Sequence, residues 1–126
     1  MPKNDKPTSA DRDARGQTPG RKAFATAEEA WLWAAAVLRA RRHGKPMPAG
    51  PCEPRDVFDA LDRLYLQRIL KMEHAYILRV WGERGASPSP ASAYERSDAL
   101  IWREALDRLE PLLISQGIVA PPEAHA

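Results

Sequence analysis

At 126 residues the chain is long enough for one modest hydrophobic core and too short for two ordinary domains. A formal net charge of +2 is not the strong basic excess of a dedicated nucleic-acid binder. Its distribution is uneven, with the cation excess in residues 1–50 and an acid excess over 92–126. The single cysteine, Cys52, rules out an intramolecular disulfide, and no paired Cys or His spacing suggests structural zinc.

A lone thiol suits a reducing cytoplasm, and the start of the chain lacks the apolar stretch of a secretory signal. The longest apolar run, residues 30–38, is about half of the roughly 20 residues that a spanning helix needs. The expectation is a soluble, cytoplasmic protein with no membrane contact. Residues 1–22 hold no aromatic and no large aliphatic side chain after Met1. Such a segment cannot bury enough surface to offset its ordering entropy, so it reads as a disordered basic tail. A helical domain over 23–119 follows, then a short tail over 120–126.

Four helices are expected in the domain. The first opens at Thr26-Ala-Glu-Glu29, where Thr26 and Glu29 can each satisfy an unpaired amide, and stops at Gly44, a natural left-handed position. The second opens at Pro54 and carries Val57, Phe58, Leu61, Leu64 and Tyr65 as an apolar stripe, with Asp59 and Arg63 one turn apart on the wet side. After a short turn over 68–70, the third starts near Lys71 or Met72, turns Ala75, Ile77, Leu78 and Trp81 inward, and ends at Gly82. Residues 82–90 read as an exposed connector with two prolines.

Ser92-Ala-Tyr-Glu95 suggests a second capping box. The fourth helix then carries Leu100 or Ile101, Trp102, Ala105, Leu106, Leu109 and Leu113, with Arg103–Asp107 and Glu104–Arg108 pairs outside. Pro111 predicts a kink or break. Residues 117–120 suit an extended segment. The fold class is all-α, a small bundle of about four helices.

Chemistry is thinly signalled. Cys52 has no evident base partner, so a small apolar residue at a helix start explains it better than a nucleophile does. His74 lacks a second ligand at helical spacing and reads as a hydrogen-bonded packing residue. No phosphate-cradling glycine loop is present, since the GERG stretch follows no strand. The expectation is a non-enzymatic protein without metal or cofactor.

The stretch Arg39-Ala-Arg41-Arg42-His43-Gly44-Lys45 packs four cations into seven residues. Each also has a local explanation, because cations in a last turn oppose the negative end of the helix dipole. Trp31 and Trp33 lie about 200° apart around the first helix, so both cannot enter one groove. One should pack in the core, and the other is a candidate partner-binding or self-association surface.

The apolar cadence Leu70, Glu73, Ile77, Leu78, with Ala105 and Leu109 further on, resembles the helix-turn-helix portion of bacterial sigma-factor C-terminal domains and of some phage antitermination regulators. The resemblance implies a small DNA-binding or transcription-associated regulator. In that reading Arg39, Arg41, Arg42 and Lys45 contact phosphates, helped by Arg21 and Lys22. Arg79, Arg84, Arg96 or Arg103 then reach bases of double-stranded DNA. The competing reading is a helical interaction module that binds a protein partner, or itself, through the first helix with Trp31 and Trp33. Whether the fold gathers the cations onto one face separates the two.

Overall fold

The computed structural model describes residues 22–47 and 49–122. The expected N-terminal arm therefore lies, apart from Lys22, outside the described residues. The architecture is an all-α four-helix bundle: α1 (Ala27–Arg42), α2 (Pro54–Leu66), α3 (Met72–Arg84) and α4 (Arg96–Ser115).

Local chemistry sets most boundaries. Thr26 Oγ1 accepts from the Glu29 amide at 3.1 Å, and Glu29 Oε1 accepts in return from Ala25 N at 2.8 Å. Pro54 begins α2, and Asp56 accepts from the Glu53 amide at 3.1 Å. The helices end alike. Past the end of α1, Gly44 N donates to Arg41 O at 3.2 Å and Lys45 N to Ala40 O at 2.8 Å, the paired bonds that satisfy a helix's last carbonyls. The left-handed residue this closure needs is Gly44, Gly85 and Gly117 at α1, α3 and α4, but Arg68, at φ 64°, at α2.

Three expectations change. α3 does not stop at Gly82 but continues to Arg84, with Gly85 as its left-handed cap. Gly82 serves packing instead, as described below. Ser92 caps nothing: α4 begins at Arg96, and Glu95 Oε1 turns back to the Ser89 amide at 2.7 Å. α4 also runs through Pro111 without a break. The proline removes the bond to the Asp107 carbonyl, but both residues lie on the exposed face, and buried Leu109 and Leu113 hold the helix on either side.

On α2, Asp59 approaches Arg55 at 3.9 Å rather than Arg63. Both expected α4 pairs form, Arg103–Asp107 at 3.5 Å and Arg108–Glu104 at 3.3 Å.

α4 is the spine. Its buried face, including Trp102, Ala105, Leu106, Leu109 and Leu113, meets all three other helices, whereas α2 and α3 touch each other least of any pair. Three indoles tie the helices together. Trp31 Nε1 on α1 donates to Leu78 O of α3 at 2.7 Å, Trp81 on α3 to Asp98 of α4 at 3.0 Å, and Trp102 on α4 to Glu28 of α1 at 2.9 Å. Each satisfies a polar atom that burial would otherwise leave unpaired.

The segment after α4 packs in extended form as expected. Phe24 and Val119 make an isolated parallel bridge, with Phe24 N to Ile118 O at 2.9 Å and Ala120 N to Phe24 O at 2.8 Å. Ala120, expected in the tail, therefore belongs to the packed unit.

Candidate docking groove

α2 and α3 are joined by a tight turn yet diverge, because Trp31 of α1 is driven between them. Its ring stands edge-on to Phe58 of α2, with centroids 5.2 Å apart, and its Nε1 reaches the α3 backbone. The approach requires the absence of a side chain at position 82. A Cβ there would lie 2.9 Å from Trp31 Nε1 and 3.2 Å from Ala35 Cβ.

The wedge leaves a depression of about 440 Å³ lined by Ala35, Leu38 and Arg42 of α1, Phe58 and Leu61 of α2, and Leu78, Arg79 and Glu83 of α3. It continues toward the α2–α3 turn as a second hollow of about 340 Å³ that includes Leu61, Asp62, Tyr65, Met72, Tyr76 and Arg79. Leu61, Asp62 and Arg79 belong to both hollows, so the two form one groove.

Its rim and the adjoining turn carry most of the exposed large apolar residues of the described chain. Met72 is 71% exposed, Tyr76 64% and Leu66 79%, with Leu38, Tyr65 and Ile69 near 40%. Scattered apolar residues are ordinary on a surface; a contiguous set along a groove marks a binding site. Sequence periodicity placed Tyr65 on the inward stripe of α2 and did not single out Met72 or Tyr76. The available signal was a four-residue spacing of Met72 and Tyr76, off the face that carries Leu78 and Trp81.

Trp31 is 1% exposed, so it builds the groove from beneath and presents no surface of its own. That corrects its expected partner-contact role. Trp33 is half-buried, covered by Phe24 at a centroid distance of 5.2 Å and by Gly50, where a Cβ would fall 2.4 Å from the indole. It seals the 49–52 segment onto α1 and leaves no open tryptophan patch there.

Five of the eight candidate DNA-contact cations are engaged within the fold. Arg39 caps the neighbouring helix, donating to Gly82 O at 2.8 Å and Glu83 O at 3.2 Å. Arg42 pairs with Glu83 at 2.6 Å, Arg41 with Glu53 at 3.5 Å, and Arg103 with Glu28 at 3.1 Å. Arg84 stacks 4.4 Å above the Trp81 ring. Lys45, Arg79 and Arg96 are exposed and make no ion pair among the described residues. Arg42 and Arg79 line one depression, while Arg96 and Arg103 line another near the 87–90 prolines, and the two share no residue.

The residues with catalytic potential are quiet. Burial, then the Asp56 and Glu53 carboxylates, push the Cys52 thiol up to about 12, so it stays protonated and unreactive near neutrality. His74 is 1% exposed; its Nδ1 accepts from the Lys71 amide at 2.9 Å, and its Nε2 lies 2.7 Å from Glu104 Oε1. The backbone donor assigns Nδ1 as the acceptor, so Nε2 carries the proton and donates to Glu104. That bond, followed by the nearby Arg108 guanidinium, holds the Glu104 carboxyl below the ordinary glutamate range.

Among the described residues no group of three or more His, Cys, Asp or Glu is placed to hold a metal ion. Nor is any helix long and apolar enough to cross a membrane. Of the residues that carry the helix-turn-helix cadence, Leu70, Ile77, Leu78, Ala105 and Leu109 are core residues and Glu73 is exposed, and an eleven-residue connection, 85–95, separates α3 from α4. No protein-family model, curated protein or solved structure matches the chain.

Proposed function

We propose that the protein is a non-enzymatic helical interaction module that binds a partner protein in the groove between α2 and α3. The observation that carries this reading is the Trp31-floored cleft with its exposed apolar rim of Leu38, Tyr65, Met72 and Tyr76. Along α3 the groove extends from Met72 to Glu83, roughly 16 Å at 1.5 Å per residue. That length suits three turns of an amphipathic helix anchored at i, i+3 or i+4, and i+7.

Double-stranded DNA is the competing ligand. Lys45, Arg79 and Arg96, together with the cations of residues 1–22, favour it. Against it stand the five engaged arginines and the acids on α4, where Asp98, Glu104 and Asp107 share the helix with Arg96 and Arg103.

The test is fluorescence anisotropy on the full chain with two probes. One is a labelled, uncharged peptide with leucines at helical spacing and glutamines elsewhere; the other is a labelled duplex read at two salt concentrations. Saturable peptide binding that Met72→Asp abolishes supports the groove. Duplex binding that collapses with salt, with no peptide binding, overturns it in favour of the nucleic-acid reading.

A further inference from the structure

The chemistry of the groove's partner is written in its charged edge. We propose that the natural occupant is an amphipathic helix of another protein whose apolar stripe is flanked by acidic residues. This rests on the groove reading above.

The turn end of the groove carries Arg68 and Lys71, beside Tyr65 and Leu66, and its middle carries Arg79. None of the three side chains makes an ion pair among the described residues. Within the two hollows the acids are Asp62 and Glu83, and Glu83 is already paired with Arg42 at 2.6 Å. Across these hollows and the adjoining one that holds Arg68 and Lys71, three cations without an ion pair thus stand against one available carboxylate, Asp62, with Lys71 also acting at longer range on Glu104. Such a site recruits a ligand of opposite edge charge and repels one of like charge.

Arg68 adds an independent observation. It occupies the left-handed position that closes α2 at φ 64°, a role filled by glycine at the ends of the other three helices. Any side chain with a Cβ is disfavoured there. The chain accepts that conformation at the turn end of the groove, beside Tyr65 and Leu66.

Two other occupants fit less well. In a symmetric dimer through this face, one cation-rich edge would be set against another of the same sign. Residues 1–21 carry more cations than acids and no large apolar side chain after Met1, so they offer the groove neither an anchor nor a complementary charge.

The experiment compares three labelled peptides that share one leucine stripe and differ only at the flanking positions, which are Glu, Gln or Lys. Anisotropy titrations of the full chain are run at low and physiological salt. The Glu-edged peptide is expected to bind about tenfold tighter than the Gln-edged one at low salt, a margin that narrows as salt rises, with the Lys-edged peptide weakest. In the double variant Lys71→Glu and Arg79→Glu, both exposed positions, the order reverses. Tyr76→Asp abolishes all binding, which separates groove occupancy from loose attraction to cations elsewhere.

Equal affinity for the Glu- and Gln-edged peptides, or a preference for Lys, overturns the acidic partner while leaving the groove reading intact. Failure of all three peptides removes both. A concentration-dependent dimer in light scattering, dissociated by Met72→Asp, assigns the face to a second copy and overturns the proposal.

Discussion

The two flanks of α3 teach opposite lessons about the same kind of side chain. Against α4, the indole of Trp81 closes the interface: its ring is buried, its Nε1 is satisfied by Asp98, and His74 adds a second polar clamp to Glu104. Against α2, the indole of Trp31 holds the interface open, because it arrives from α1 and fills the space that α2 and α3 would otherwise close. A tryptophan that joins its own helix to one neighbour is mortar; a tryptophan from a third helix is a spacer.

The first way to break that contrast is to remove the spacer. Trp31→Ala should cost about 3–5 kcal/mol of unfolding free energy by chemical denaturation, through lost burial, the cavity, and the loss of a buried hydrogen bond. The uncharged groove peptide should lose its site in the same variant.

A subtler perturbation leaves the indole in place and crowds its seat. Gly82→Ala gains helix propensity worth about 1 kcal/mol, but its Cβ would sit 2.9 Å from Trp31 Nε1. Overpacking of that kind costs about 1–3 kcal/mol. The net expectation is a loss of about 1 kcal/mol, read from the denaturation midpoint, whereas Ala at a free helical position would stabilise.

Arg39 and Arg41 sharpen the comparison at the next level down. Arg39→Ala removes two bonds to the last carbonyls of α3 and should cost about 1–2 kcal/mol. Arg41→Ala breaks only an exposed pair with Glu53 and should change stability by less than about 0.5 kcal/mol.

The closed flank also has a pH signature. The folded-state pKa of Glu104 is depressed, so its contribution is present above the ordinary glutamate range and is lost as pH falls through the folded value. The acid limb of the stability curve should flatten in Glu104→Gln, measured by urea unfolding between neutral and acidic pH.

Much of the bundle could be anticipated because the deciding interactions are local. Thr26 and Glu29 meet within one turn, Pro54 carries its own start signal, and Gly44 its own stop. The misreadings share a cause. Gly82 resembles a helix end unless one knows that an indole 51 positions earlier in the chain lies against it. Arg39 is fully explained by its own helix dipole until the fold delivers the carbonyls of α3, 43 positions away.

Ser92 failed as a signal, and Pro111 did not end its helix, for a different reason. Tertiary anchoring by Leu109 and Leu113 carries the helix past the proline without a break, and Glu95 was recruited by the loop behind it. The groove itself was the least legible feature. Periodicity finds the face a helix buries, but an apolar rim such as Met72 and Tyr76 is defined by what fails to cover it.

The bridge between Phe24 and Val119 brings residues far apart in sequence into contact near the two ends of the described chain. Topologically the domain is almost a ring. Joining the old termini with a short linker and opening the chain within the exposed part of the 85–95 connector would give a circular permutant that keeps every helix pairing. In that permutant α4 would lead the chain in place of α1.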